Sequence, residues 1–184
     1  LSSEEVGKMC RLLDEALAAG APGLSAGLLY VPGKFSDFEE LTALMRVVAA
    51  RDRIFTTHLR SEGNQLLESL EETFAAARAA KLGRVQISHF KTAGRANWEK
   101  LDDALALIEN ARAGGMQVTV DRYPYLESMT QLSVILPDKW SDLADVTIQS
   151  KLRSNEECRA LTDALRAARS PEYWKGVRLV STTG

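Results

Sequence analysis

Residues 53–91, RIFTTHLRSEGNQLLESLEETFAAARAAKLGRVQISHFK, decide the architecture. RIFTTHLR (53–60) is rich in β-branched and aromatic residues, which predicts a strand. Leu66, Leu67, Leu70, Phe74 and Ala77 then recur at helical spacing and predict an amphipathic helix that ends near Gly83. RVQISHFK (84–91) returns to strand character. A strand, a helix and a strand in that order make a βαβ unit. Its two strands run parallel because the helix carries the chain back across the sheet.

The same plan extends on both sides. Upstream, Ser2 with Glu5 forms a capping box, and Val6, Met9, Leu12, Leu13, Ala16 and Leu17 predict a helix closed by Gly20. GLSAGLLYV (23–31) is a short apolar run between turn signals and suits a buried strand. Ser36 and Glu39 predict a second capping box, for a helix carrying Leu41, Leu44, Met45 and Val48. Downstream, Asn97 is the expected cap of a helix marked by Trp98, Leu101, Leu105 and Ile108, ending at Gly114-Gly115. QVTVDRYPY (117–125) reads as a further strand. Tyr30, His58, His89 and Tyr123 each fall at a strand end and recur about every 30 residues, the length of one βα unit. About four parallel strands in series predict an α/β fold, as a segment of a (β/α)8 barrel or a doubly wound sheet. No GxGxxG or GxxxxGK[ST] follows a strand, so nothing supports nucleotide binding.

The rhythm changes after Tyr125. Pro137 and Trp140 fall in an irregular stretch, and residues 154–169 predict one amphipathic helix capped by Ser154 with Glu157. VRLVSTT (177–183) looks like a strand. The sequence therefore divides into a βα-repeat portion, 1–125, and a helical excursion, 126–184, expected to rejoin the main fold near 177–183.

Composition is that of a globular protein: 184 residues, 45% hydrophobic and 26% charged, with 23 Lys+Arg against 25 Asp+Glu. A formal charge of −2 gives no field for collecting nucleic acid, and no apolar run is long enough for a membrane span. Cys10 and Cys158 form no CxxC pair. Cys10 is expected as a buried thiol in a helix, and the compartment as reducing, hence cytoplasmic. LSSEEVGKMCRLL lacks the pattern of a secretory leader. It also lacks an initiator Met, and the chain stops at Gly184 just after strand-like residues, so a piece of a longer protein is expected.

The only two histidines, His58 and His89, occupy equivalent places one βα unit apart. Adjacent parallel strands lie about 4.8 Å apart, so two imidazoles at neighbouring strand ends can reach one ion or serve acid–base chemistry together. Two ligands are too few for a catalytic zinc, which takes three plus a water. Strand alternation places His58 with Arg60, His89 with Lys91, and Asp121 with Tyr123 and Tyr125. The cations suggest a pocket for a carboxylate. One feature conflicts with that alternation: the opposite face of 84–91 then carries Gln86 and Ser88, which is polar for a surface packed on helices. Glu62 and Asn64 follow His58 closely and could orient an imidazole, although a cap or a solvated loop is the simpler expectation.

GLSAGLLYVPG, TTHLRSEG, VQISHFKTAGRANW and DRYPY, in this order and spacing, resemble the D-aminoacylase (N-acyl-D-amino-acid deacylase) family of the amidohydrolase superfamily. The resemblance covers about residues 8–136 and is loose beyond. It implies a segment of a metal-dependent (β/α)8 barrel that hydrolyses N-acyl-D-amino acids to a carboxylate and a D-amino acid. It also implies zinc as cofactor, His58 and His89 as metal ligands, Lys91 as holder of the substrate carboxylate with Tyr123 beside it, and Tyr30 as a pocket residue. After YPY, where relatives carry a Ser/Thr-rich stretch, this chain has Leu126-Glu127-Ser128-Met129-Thr130. The family's HxH motif, its ligand cysteine and its general-base Asp have no counterpart among these residues. The chain is therefore expected to be inactive alone, and to associate through open strand edges. Two alternatives remain: a dihydroorotase- or hydantoinase-like cyclic amidohydrolase, and a non-catalytic module binding a small anion or a partner.

Overall fold

The computed structural model describes residues 1–141 and 143–180. The chain divides into two units, Leu1–Leu126 and Glu127–Gly184. The first contains α1 (Ser3–Ala18), β1 (Gly23–Gly27), α2 (Phe38–Ala50), β2 (Ile54–His58), α3 (Leu66–Ala79), β3 (Arg84–Ile87), α4 (Leu101–Ala113) and β4 (Gln117–Val120). The four strands form one parallel sheet in the order β1-β2-β3-β4. Sequential order without reversal has none of the switch points of a doubly wound sheet.

Burial along the strands shows which face the helices cover. Phe55, Thr57, Val85, Ile87 and Val118 are buried, while Ile54, Thr56, Arg84 and Gln86 between them are only half-buried and Thr119 is exposed. The covered face meets Leu41, Met45 and Val48 of α2, Leu66, Leu70 and Phe74 of α3, and Ala104 and Ile108 of α4 in a single core. Every α helix of this unit follows the expected βα rhythm.

Local chemistry explains the boundaries. Ser2 and Glu5 form the predicted capping box of α1, and Gly20 follows the helix at φ +110°, a conformation glycine adopts without steric cost. The box expected at Ser36 and Glu39 does not form. Asp37 is the cap of α2, accepting from Glu40 N at 2.8 Å, and Ser36 Oγ instead donates to Gly33 O. Asn97 is not a cap either. It is buried, and its amide donates to Ala93 O at 2.7 Å and Asn64 Oδ1 at 3.2 Å, tying the loops after β2 and β3 together.

The stripe predicted for α4 also differs. Residues 95–100 form a 3₁₀ turn, and Trp98, Leu101 and Leu105 remain 58%, 41% and 42% exposed. The buried face runs through Ala104, Ile108 and Ala111. Cys10 is half-buried rather than buried, and both cysteines are free.

The second unit carries α5 (Asp138–Ser141), α6 (Asp145–Lys151), α7 (Asn155–Ala168) and α8 (Pro171–Lys175). The cap of α7 is the predicted one, Ser154 accepting from Glu157 N. The strand expected over 177–183 is not formed at 177–180, which have no regular structure, and residues 181–183 lie outside the described residues. No described helix is long and apolar enough to cross a membrane.

Phe55 is fully buried on β2, one turn of the pleat from the strand end. Phe55→Ala is expected to lower the unfolding free energy by about 3–5 kcal/mol, read from urea denaturation, because the cavity adds to the lost transfer energy.

Candidate metal centre

His58 is the last residue of β2 and shares a face with Ile54 and Thr56, opposite the helices. His89 reaches that face by a different route. Thr56 pairs with Gln86 and Thr57 with Ile87, so a straight continuation would set Ser88 beside His58 and turn His89 toward the helices. The strand stops at Ile87 instead. Ser88 and His89 form a turn, and His89 has φ +40°. A left-handed backbone is uncommon for a residue with a side chain, and such conformations gather at functional sites. The alternation argument therefore fails past Ile87: Gln86 lies on the site face and needs no helix contact, while Val85 and Ile87 supply the packed surface.

Asp121 holds this turn. Its Oδ1 accepts from His89 N at 2.6 Å, and its carbonyl accepts from Phe90 N at 2.9 Å. Its Oδ2 accepts from Gln86 Nε2 at 2.8 Å, and Gln86 Oε1 in turn accepts from the Thr119 hydroxyl. Ser88 N donates to Thr57 O at 3.0 Å on the other side.

The two imidazoles come together as a result. Their centroids are 4.4 Å apart at an interplanar angle of 48°, and His89 Nε2 is in direct contact with His58 Nδ1. Tyr30, past the end of β1, stands edge-on to His58 at 5.7 Å. Lys91 Nζ donates to His89 O at 2.9 Å and lies 5.6 Å from the Tyr123 ring centroid. Arg122 approaches the same ring at 5.0 Å. His58, His89, Lys91, Tyr30 and Tyr123 thus gather at one end of the sheet, and Tyr125 is exposed.

Arg60 is committed elsewhere. Its guanidinium grips both oxygens of Glu72 at 2.9 and 3.0 Å, and donates to Lys34 O at 2.6 Å and Ser36 O at 3.0 Å. These bonds tie α3 to the loop after β1, as a partly buried guanidinium takes the nearest carboxylate and carbonyls.

Glu62 exceeds what its loop position suggested. Its Oε1 lies 2.6 Å from His89 Nδ1 and its Oε2 lies 2.6 Å from Lys91 Nζ, with the glutamate and lysine side chains each 13% exposed. The Oε1 contact is out of line for a hydrogen bond; it sets a carboxylate charge against the Nδ1 edge of the ring. The sequence signal was only the proximity of SEG to His58. Asn64 is engaged with Asn97 and does not orient an imidazole.

Two imidazole nitrogens facing one point suit a divalent ion of borderline softness such as zinc, which favours nitrogen ligands. Among the described residues no group of three or more His, Cys, Asp or Glu could hold a metal. The chain thus presents two donors of a larger set. Burial, then the adjacent His89 ring, lowers the pKa of His58 from its ordinary 6.5, with Glu62 acting in the opposite sense. A neutral imidazole is the form that ligates.

No family model matches the chain. It is 40% identical over 147 residues to N-acyl-D-glutamate deacylase of Alcaligenes xylosoxydans xylosoxydans, covering 80% of this chain and 29% of that protein. It is 39% identical over 77 residues to D-aminoacylase of the same organism, covering 42% of this chain and 16% of that one. Among solved structures, the N-acyl-D-glutamate deacylase of Bordetella bronchiseptica, complexed with zinc and a phosphonate mimic of the tetrahedral intermediate, aligns with a TM-score of 0.66 at 38% identity, over 68% of this chain and 26% of that one. A D-aminoacylase crystal structure, described as defining a novel subset of amidohydrolases, aligns with a TM-score of 0.64 at 37% identity over the same shares. The chain is a homologue of these N-acyl-D-amino-acid deacylases, spanning 29% of the length of the first relative, and its α/β sheet matches a part of their amidohydrolase fold.

Two outcomes follow for the metal-free chain. Asp121→Ala removes the acceptor of His89 N–H; a hydrogen bond to a charged group is worth about 1.5–3 kcal/mol, so amide exchange at His89 should accelerate by roughly ten- to a hundredfold. His58 should titrate below 6.5 in a histidine NMR series. Because its folded pKa is depressed, its contribution to stability is fully present above the ordinary imidazole value and is lost as pH falls through the lowered one.

Proposed function

We infer that this chain supplies part of the catalytic barrel of a zinc-dependent hydrolase of N-acyl-D-amino acids, with His58 and His89 as two of the metal's protein ligands. The observation that carries this reading is the convergence of His89 Nε2 on His58 Nδ1 at the ends of adjacent strands. The likeness to deacylases supports the substrate class. In this reading the four strands are half of an eight-stranded barrel, and the remaining ligands and the general base belong to other parts of a longer protein.

Each residue then has a physical task. His58 and His89 would hold zinc through their ring nitrogens, and a zinc so held would polarise the amide carbonyl and activate a water near neutral pH. Lys91, beside Tyr123, offers its ammonium to the α-carboxylate and so sets the distance from that group to the scissile carbonyl. Tyr30 restricts the His58 ring by edge contact. A linear substrate with a free carboxylate suits Lys91 better than a cyclic amide does. Free cysteines support a reducing, cytoplasmic setting.

Zinc titration by calorimetry is the direct test. The wild-type chain should bind zinc, and His58→Ala and His89→Ala should each abolish binding or weaken it by at least tenfold. Equal affinity in all three overturns the reading. The isolated, zinc-loaded chain should show no turnover of N-acetyl-D-glutamate, since two ligands without the base leave the site incomplete.

Among the described residues, the outer edges of β1 and β4 carry no strand partner within the sheet. Such edges template pairing with other chains. Sedimentation velocity should therefore show concentration-dependent association of the isolated chain, and a monomer across the whole range would contradict this.

A further inference from the structure

His89 Nδ1 lies between two groups of opposite demand. Glu62 Oε1, an acceptor, is 2.6 Å away, and Lys91 Nζ, a donor, is 3.0 Å away. A neutral imidazole carries one proton, on one nitrogen or the other. Two bare nitrogens in contact repel, whereas a proton or a cation between His89 Nε2 and His58 Nδ1 makes their approach favourable. With the ring proton on Nε2, His89 donates to His58, and its free Nδ1 accepts from Lys91. With Nε2 given to a metal, the proton resides on Nδ1, where the negative charge of Glu62 favours it. The ring holds one proton in both arrangements, so no net charge changes.

Glu62 is fixed for that second arrangement by its own backbone. Its carbonyl accepts from Ala93 N at 2.6 Å, which joins the loop after β2 to the loop after β3. Ser61 N donates to Ser69 Oγ of α3 at 3.0 Å. The carboxylate therefore stands in a preset place, and its second oxygen holds Lys91 at 2.6 Å.

We propose that Glu62 is a positioning residue that favours the metal-ready tautomer of His89 through the negative charge of Oε1 beside Nδ1, and fixes the Lys91 ammonium beside the site through Oε2. A carboxylate on the far nitrogen of a ligating histidine fixes ring orientation and raises ligand basicity. The same carboxylate partly neutralises Lys91, so an incoming substrate carboxylate must share or take over that ammonium. The inference rests on the zinc reading proposed above for its first half and on the metal-free geometry for its second.

Zinc titration and Lys91 reactivity of Glu62→Ala and Glu62→Gln test the two halves separately. Loss of such a partner typically weakens metal binding by about 10–100-fold, so Glu62→Ala should show a drop of that size in zinc titration. Glu62→Gln keeps the shape but not the charge and should also bind zinc more weakly. Lys91 loses its counter-charge in both variants, so its rate of reductive methylation in the metal-free chain should rise several-fold. ¹⁵N-histidine spectra should place the His89 proton on Nδ1 in the zinc-loaded wild type. Unchanged affinity and unchanged Lys91 reactivity in folded variants overturn the proposal. If Glu62→Ala does not fold, the Lys91 reactivity of the near-isosteric Glu62→Gln decides. A wild-type chain that binds no zinc defeats the metal reading, while Lys91 reactivity still judges Glu62.

Discussion

The acceptance of the His89 N–H by the Asp121 carboxylate is the contact on which the site depends. A parallel sheet delivers side chains alternately to its two faces, and β3 spends its odd positions, Val85 and Ile87, on the core. Left to that rule, His89 would follow them toward the helices. The left-handed turn takes the ring back to the open face, and such a turn persists where its surroundings compensate the conformational cost. Asp121 does so from the residue just after β4, with both its carboxylate and its carbonyl, while Thr57 anchors the turn from β2. The meeting of two histidines thus involves three strands.

Much of this was legible in the residues. Four strands, the helices between them and their parallel order followed from apolar periodicity and turn chemistry, because those signals are local. The resemblance to deacylases rested on short motifs at strand ends, and the similarity to N-acyl-D-glutamate deacylase extends over 80% of the chain. What was not legible was the direction of side chains beyond the last paired residue. Parity holds only while the ladder continues, and nothing in ISHFK announces that pairing ends before Ser88. The polar Gln86 was the available clue. It looked misplaced for a helix-packed face because the face assignment was inverted.

Charge pairing was the other illegible layer. Arg60 and Lys91 stand in the same relation to their histidines in sequence, yet one is consumed by Glu72 and two carbonyls while the other borders the site. The difference comes from α3, which brings Glu72 beneath Arg60, and from the short loop that brings Glu62 to Lys91. Long flexible side chains choose partners by tertiary proximity, and sequence spacing carries almost none of that information. Glu62 was discounted for the same reason, since a glutamate in a glycine-containing loop is ordinarily solvated.

The open face of the sheet shows how scaffold and site can be separated. Barrel interiors are usually filled by branched apolar residues in layers. Here the corresponding face carries Ser25, Thr56, Gln86 and Thr119, and Gln86 bonds across to both Thr119 and Asp121. Such a face tolerates water because its polar groups are partnered or hydrated, whereas an apolar one would drive collapse or aggregation. Cohesion therefore comes from the helix side, through Phe55, Phe74, Val85 and Ile87, and the polar side is left to the paired histidines. The strand ends can then hold two imidazoles at a fixed approach without the rest of a barrel wall around them, since the forces placing them are ladder bonds, one carboxylate clamp and a core that lies behind the sheet.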